Sequence, residues 1–122
     1  MPAQSATMTQ TSRQEPILVL VSDLLFGSRI TSTAANLGRP VQILRNPLQL
    51  EKQGGTKLIV DLNQSGALPA AAQWLAGAKG REVIGFVAHV DTATIAAAKE
   101  AGITQVLPRS RFVELLSDLL KK

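Results

Sequence analysis

The segment "TKLIVDLNQSG" (residues 56–66) drives a short apolar run, Leu58 to Val60, straight into the carboxylate of Asp61. Short apolar runs of this kind form buried strands, and a charge at the end of one has two explanations. Asp and Asn shape turns, because their side chains bond nearby backbone N–H groups. Alternatively, the carboxyl ends of parallel strands are where α/β proteins gather their ligand-binding groups. A second acidic residue stands in the same situation. The run "ILVLV" (17–21) ends in Ser22 and Asp23, and Asp23 would also serve as a helix cap. The single histidine, His89, follows "VIGFVA" (83–88). A histidine there is suited to contacting an anion or carrying a proton; the plainer alternative is a half-exposed loop residue bonded to neighbouring backbone.

Composition removes several other chemistries. The 122 residues contain no cysteine and one histidine, so disulfides, thiolate zinc sites, thiol catalysis and multi-histidine metal sites are excluded. No Gly-rich phosphate loop and no nucleophile–base pair is present, so no independent enzyme is expected. Net charge is +4, from 13 Lys and Arg against 9 Asp and Glu, and the basic residues are scattered along the chain. They form an ordinary solvated surface, with Arg109 and Arg111 the one close pair singled out. Aromatics make up only 3%, which leaves little on which nucleobases could stack. No stretch approaches the roughly 18 apolar residues of a membrane span, and no secretory signal is visible. A cytoplasmic location is the default expectation.

The elements that must position these residues follow from periodicity. Residues 1–15 are polar, small and aperiodic, and read as a disordered leader. From Pro16 onward, apolar runs alternate with helical patterns. Strands are expected at 17–21, 41–44, 57–61, 83–88 and 104–107. Helices are expected at 29–38, 68–80, 91–102 and 110–122, with a short one allowed at 46–55 behind Pro47. The last carries Phe112, Leu115, Leu116, Leu119 and Leu120 on one stripe. Continuous apolar strands alternating with helices imply a parallel sheet covered on both faces. Five such units suit an α/β flavodoxin-like (βα)5 three-layer sandwich of strand order 2-1-3-4-5, whose switch point lies between the first and third strands. Ser22, Asp23 and Asp61 then converge on one crevice.

With these residues in place, the chain resembles the receiver domain of two-component response regulators, over roughly residues 16–121. "LVSDLLFGSRI" is similar to that family's first acidic motif, with Asp23 at one acidic position and Ser22 replacing the other. "LIVDLNQSG" is similar to the acceptor motif. "VIGFVAHVD" puts Val87 where the family has a hydroxyl residue, and "AGITQVLPRSRF" puts Arg109 at the family's lysine and Ser110 at its usual proline. The resemblance implies Asp61 as phospho-acceptor. It implies a weak Mg²⁺ site from Asp23, Asp61 and the Asn63 carbonyl, weakened because Ser22 removes one acidic ligand. Arg109 would keep the positive charge that contacts the phosphoryl group, though a planar fork is not a point charge. His89 borders the same crevice. Val87 cannot supply the hydroxyl that relays phosphorylation.

The expectation is therefore a stand-alone, degenerate receiver domain over 16–122, signalling by protein–protein contact, with phosphorylation impaired or dispensed with. The expected partner is a histidine kinase or another signalling protein, and the last helix offers a face for a homodimer. Nucleic acid and membrane are not expected partners. The rivals are a working single-domain regulator phosphorylated on Asp61, and an adaptor for nucleic acid or a small anion.

Overall fold

The computed structural model describes residues 15–89, 91–103 and 105–121. The expected leader, apart from Glu15, lies outside the described residues. Five strands, β1 (Ile17–Leu20), β2 (Val41–Leu44), β3 (Lys57–Asp61), β4 (Glu82–Val87) and β5 (Gln105–Pro108), form one sheet of order β2-β1-β3-β4-β5. All four pairings are parallel. Helices α1 (Leu24–Asn36), α2 (Ala67–Ala76), α3 (Thr92–Glu100) and α4 (Arg109–Lys121) connect or follow the strands, and a 3-10 helix (Pro47–Lys52) replaces the short helix between β2 and β3. This is the flavodoxin-like order read from the sequence.

The three central strands are buried along their whole apolar length because both faces are covered. Alternate residues supply two cores. On one face Leu18, Leu20, Leu58 and Val60 pack with Trp74 of α2, Leu50 of the 3-10 helix and Ala98 of α3. On the other, Ile17, Val19, Ile59 and Ile84 pack with Phe26 and Ile30 of α1 and Phe112, Leu116 and Leu120 of α4. That second face gathers all three phenylalanines of the chain. Phe86 and Phe112 stack at 4.7 Å between centroids, and Phe26 lies 5.0 Å from Phe86.

The helix expected over 68–80 ends at Ala76, with Gly77 as its cap, and two further features differ from the sequence reading. Helix α1 begins at Leu24, five residues before the expected start at Arg29. Gly27, a weak helix former, sits in its first turn and masks the onset. It is buried, and a Cβ there would meet Val21 Cγ2 at an ordinary 3.4 Å. The second feature is Lys57. It is 95% buried by its 5% residual exposure, and its ammonium donates to the carbonyl of Leu119 in the last turn of α4. That bond places a cation at the negative end of the helix and ties β3 to α4.

Candidate functional site

The carboxyl ends of β1, β3 and β4 make the crevice expected at the switch point. Asp61 ends β3 opposite Phe86 of β4, and the ladder continues one step further through Leu62 N–H to the Phe86 carbonyl at 3.0 Å. Leu62 then lies over Gly85, where an added Cβ would fall 2.5 Å from Leu62 Cδ1. Glycine at this point of β4 is what lets the loop after Asp61 fold down onto the sheet. Asp61 itself is half-buried, and its Oδ1 accepts the N–H of Asn63 at 3.0 Å. Burial pushes its carboxyl above the ordinary value. The Asn63 N–H and the charge of Arg109 oppose that shift, while the charge of Asp23 adds to it.

Asn63 works through its side chain. Its Oδ1 accepts from the backbone N–H of Ala88 at 2.6 Å and of His89 at 3.2 Å. One amide oxygen thus takes both donors that follow β4. The neighbouring Gln64 ties the same loop in the other direction, donating from Nε2 to the Arg45 carbonyl at 2.7 Å. The β3–α2 loop is consequently braced to the loops after both β2 and β4. The sequence reading took Asn63 for its carbonyl and passed over Gln64. An Asn two residues past a strand-ending Asp signals an Asx turn, but no local pattern signals a bond to residue 88.

Asp23 caps α1, accepting the Phe26 N–H at 3.1 Å through Oδ1. Its Oδ2 lies 3.4 Å from Arg109 Nη2. The Phe26 N–H above all, with Arg109, holds its carboxyl below the ordinary value. Arg109, the first residue of α4, lays its guanidinium 4.1 Å above the centre of the Phe26 ring. It is therefore paired with Asp23 and stacked on Phe26, and it reaches Asp61 only through its field. Phe26 is a site residue that sequence reasoning missed, since it was expected in neither helix nor crevice. Val87 is buried, with 1% of its surface exposed. Ser22 and His89 are exposed, and His89 enters the site through its backbone.

Asp23, Asp61, Asn63 and Arg109 are thus brought together at one end of the sheet, with several of the oxygens that a Mg²⁺ ion would use already engaged inside the chain. A hard cation wants six oxygens in near-octahedral array. Here both oxygens of Asp23 are engaged, one oxygen of Asp61 accepts a backbone N–H, Ser22 is uncharged, and a guanidinium occupies the acidic corner. Among the described residues no group of three or more His, Cys, Asp or Glu could hold a metal ion. Beside the crevice, a groove of about 570 Å³ runs between α1 and β2, lined by Leu24, Ser28, Ser32 and Arg45 among others.

No known sequence family and no curated protein matches this chain. Solved structures do. A response regulator receiver protein from Pseudoalteromonas atlantica is similar with a TM-score of 0.75 at 10% identity, covering 88% of this chain and 94% of that one. A response regulator from Thermotoga maritima is similar with a TM-score of 0.71 at 15% identity, over 88% and 95% of the two chains. An atypical orphan response regulator, described as having a phosphorylation-independent regulatory mechanism, has a TM-score of 0.71 at 12% identity, over 88% and 92%. The chain has the receiver fold.

Proposed function

We propose that this chain is a receiver-fold signalling module that acts by contact with a protein partner, with phosphorylation of Asp61 impaired or unused. One observation carries the proposal: Asn63 Oδ1 accepts the N–H groups of both Ala88 and His89. An oxyanion on Asp61 that sought those donors would have to displace two bonds already made inside the chain. Val87 offers no hydroxyl in their place. The similar structure described as phosphorylation-independent supports the same reading.

Contact with a protein is supported by three exposed leucines at the carboxyl end of the sheet. Leu24 and Leu25 begin α1, Leu25 being 85% exposed, and Leu48 sits on the 3-10 helix. A histidine kinase or another signalling protein is the partner class that the fold suggests, and self-association through α4 belongs to the same proposal. A nucleic-acid role is less favoured, because the basic pair singled out in the sequence is internally neutralised. Arg111 pairs with Glu114 at 3.1 Å and Arg109 with Asp23. No catalytic step is part of the proposal. No helix among the described residues is long and apolar enough to cross a membrane.

The second reading, a working acceptor, is favoured by the place of Asp61 itself, half-buried at the end of β3 within the field of Arg109. Acetyl phosphate separates the two. After incubation with acetyl phosphate and Mg²⁺, intact-mass spectrometry should find no phosphoryl adduct beyond the level of an Asp61→Asn control. A hydroxylamine-labile adduct absent from that control would establish the second reading instead.

A further inference from the structure

We infer that Arg109 is the resident cation of the crevice, holding the place of a divalent metal ion and closing the acidic corner to one. The inference deepens the proposed function, since it rests on the same crevice being satisfied from within. Its first ground is geometric. Asp23 is the carboxylate a metal would need beside Asp61, and its two oxygens are divided between the Phe26 N–H and the Arg109 guanidinium. A metal ion would have to take Oδ2 from Arg109 and would still meet a positive charge alongside.

The second ground is that Arg109 is held where it is. Its guanidinium lies 4.1 Å over Phe26, and Phe26 is wedged against both Phe86 and Phe112. The ring is therefore a fixed platform and not a loose neighbour. Arg109 is also the first residue of α4, directly after β5, so its backbone is fixed by two elements. A guanidinium stacked on one face and paired at its edge uses the planar geometry that distinguishes Arg from Lys.

The third ground is charge. Asp23 and Asp61 supply two negative charges, and Ser22 adds none. One fixed positive charge leaves a single net negative charge, where a corner emptied of Arg109 would offer two to a divalent ion. The field of Arg109 is felt at Asp61 although no bond joins them.

Mg²⁺ titration by calorimetry, with Mn²⁺ as a paramagnetic probe of amide resonances, tests the inference on the full chain. Wild type should show no saturable heat and no selective broadening at residues 22–23 and 61–63. Arg109→Met keeps an aliphatic stem on Phe26 and removes the charge; it should gain saturable binding with broadening at those residues. Ser22→Asp/Arg109→Met should bind at least about tenfold more tightly, from the added carboxylate ligand. Arg109→Lys, which keeps a charge but loses the planar stack on Phe26, should bind more than wild type and less than Arg109→Met. Saturable binding by wild type with broadening at Asp61, strong binding by Ser22→Asp alone, or a folded Arg109→Met as inert as wild type would each overturn the assignment. The wild-type and Ser22→Asp arms decide the matter even if Arg109→Met does not fold. Failure here is separable from failure of the proposed function. Phosphoryl transfer to Asp61 without metal binding would refute impaired phosphorylation and leave Arg109 as the cation. Metal binding without phosphoryl transfer would do the reverse.

Discussion

At the scale of single residues, the crevice depends on how two carboxylates divide their partners. The pKa of Asp61 is raised in the folded state, so its contribution to stability is fully present below its ordinary value of 3.8 and is lost as pH rises through the folded value. At neutral pH the ionised, half-buried group is a modest liability. Asp61→Asn should therefore melt higher than wild type at pH 7, with the gap vanishing below pH 3.8. A variant that melts lower at pH 7 would contradict the burial argument. Asp23 and Asp91 carry the opposite sign. Their lowered values contribute stability above 3.8 that is lost as pH falls through the folded values. Asn63 is the other decisive residue. Asn63→Ala should cost about 1 kcal/mol, since two backbone donors lose their acceptor but regain water. Amide hydrogen exchange should accelerate at Ala88 and His89 while β3 stays protected. The importance of Asp23 and Asp61 was legible because each closes an apolar run. The Asn63 bond, spanning 25 residues, and the Arg109–Asp23 pair, spanning 86, were not. They depend on which strands become neighbours, and no local pattern encodes that.

At the scale of elements, the strands were the most legible. Unbroken apolar runs survive in β1, β3 and β4 because helices cover both faces. Helix boundaries were less so. The onset of α1 was hidden by Gly27, although Asp23 in front of it is a good cap. Asp23→Ala removes both the cap and the ion pair, whereas Asp23→Asn can retain the cap. Asp23→Ala should lower stability through the lost cap, and Asp23→Asn by less, because an exposed pair contributes little. Urea denaturation of the two variants measures the difference; equal losses would mean that the cap contributes nothing. Gly85 is the hinge between sheet and site. Gly85→Ala drives a Cβ into Leu62, at 2.5 Å from Cδ1 before relaxation. It should destabilise the fold by about 1–3 kcal/mol and displace the Asn63 loop, visible as amide shifts at residues 61–64. A neutral melting temperature would show that Leu62 moves aside freely. The sequence offered "VIGFVA" as a strand but not the reason for its glycine, which is a cross-strand neighbour.

At the scale of the whole molecule, the fold was legible from alternation alone, because parallel strands with right-handed crossovers leave few arrangements. What the alternation could not convey is how the crevice of this receiver fold is braced from within. An amide oxygen from Asn63 takes the N–H groups of Ala88 and His89, the Arg109 guanidinium pairs with Asp23, and Val87 ends β4 without a hydroxyl. A ligand moves an equilibrium only through differential interaction with two states, and on the proposed reading these groups leave a phosphoryl mimic little such difference. The most direct measurement is a beryllofluoride titration in the presence of Mg²⁺, followed by amide NMR across the chain. The account predicts no saturable shifts, or shifts confined to residues near 22–27, 61–65 and 87–91. Saturable shifts that spread through α3, β5 and α4 would contradict it and make the molecule a phosphorylation switch.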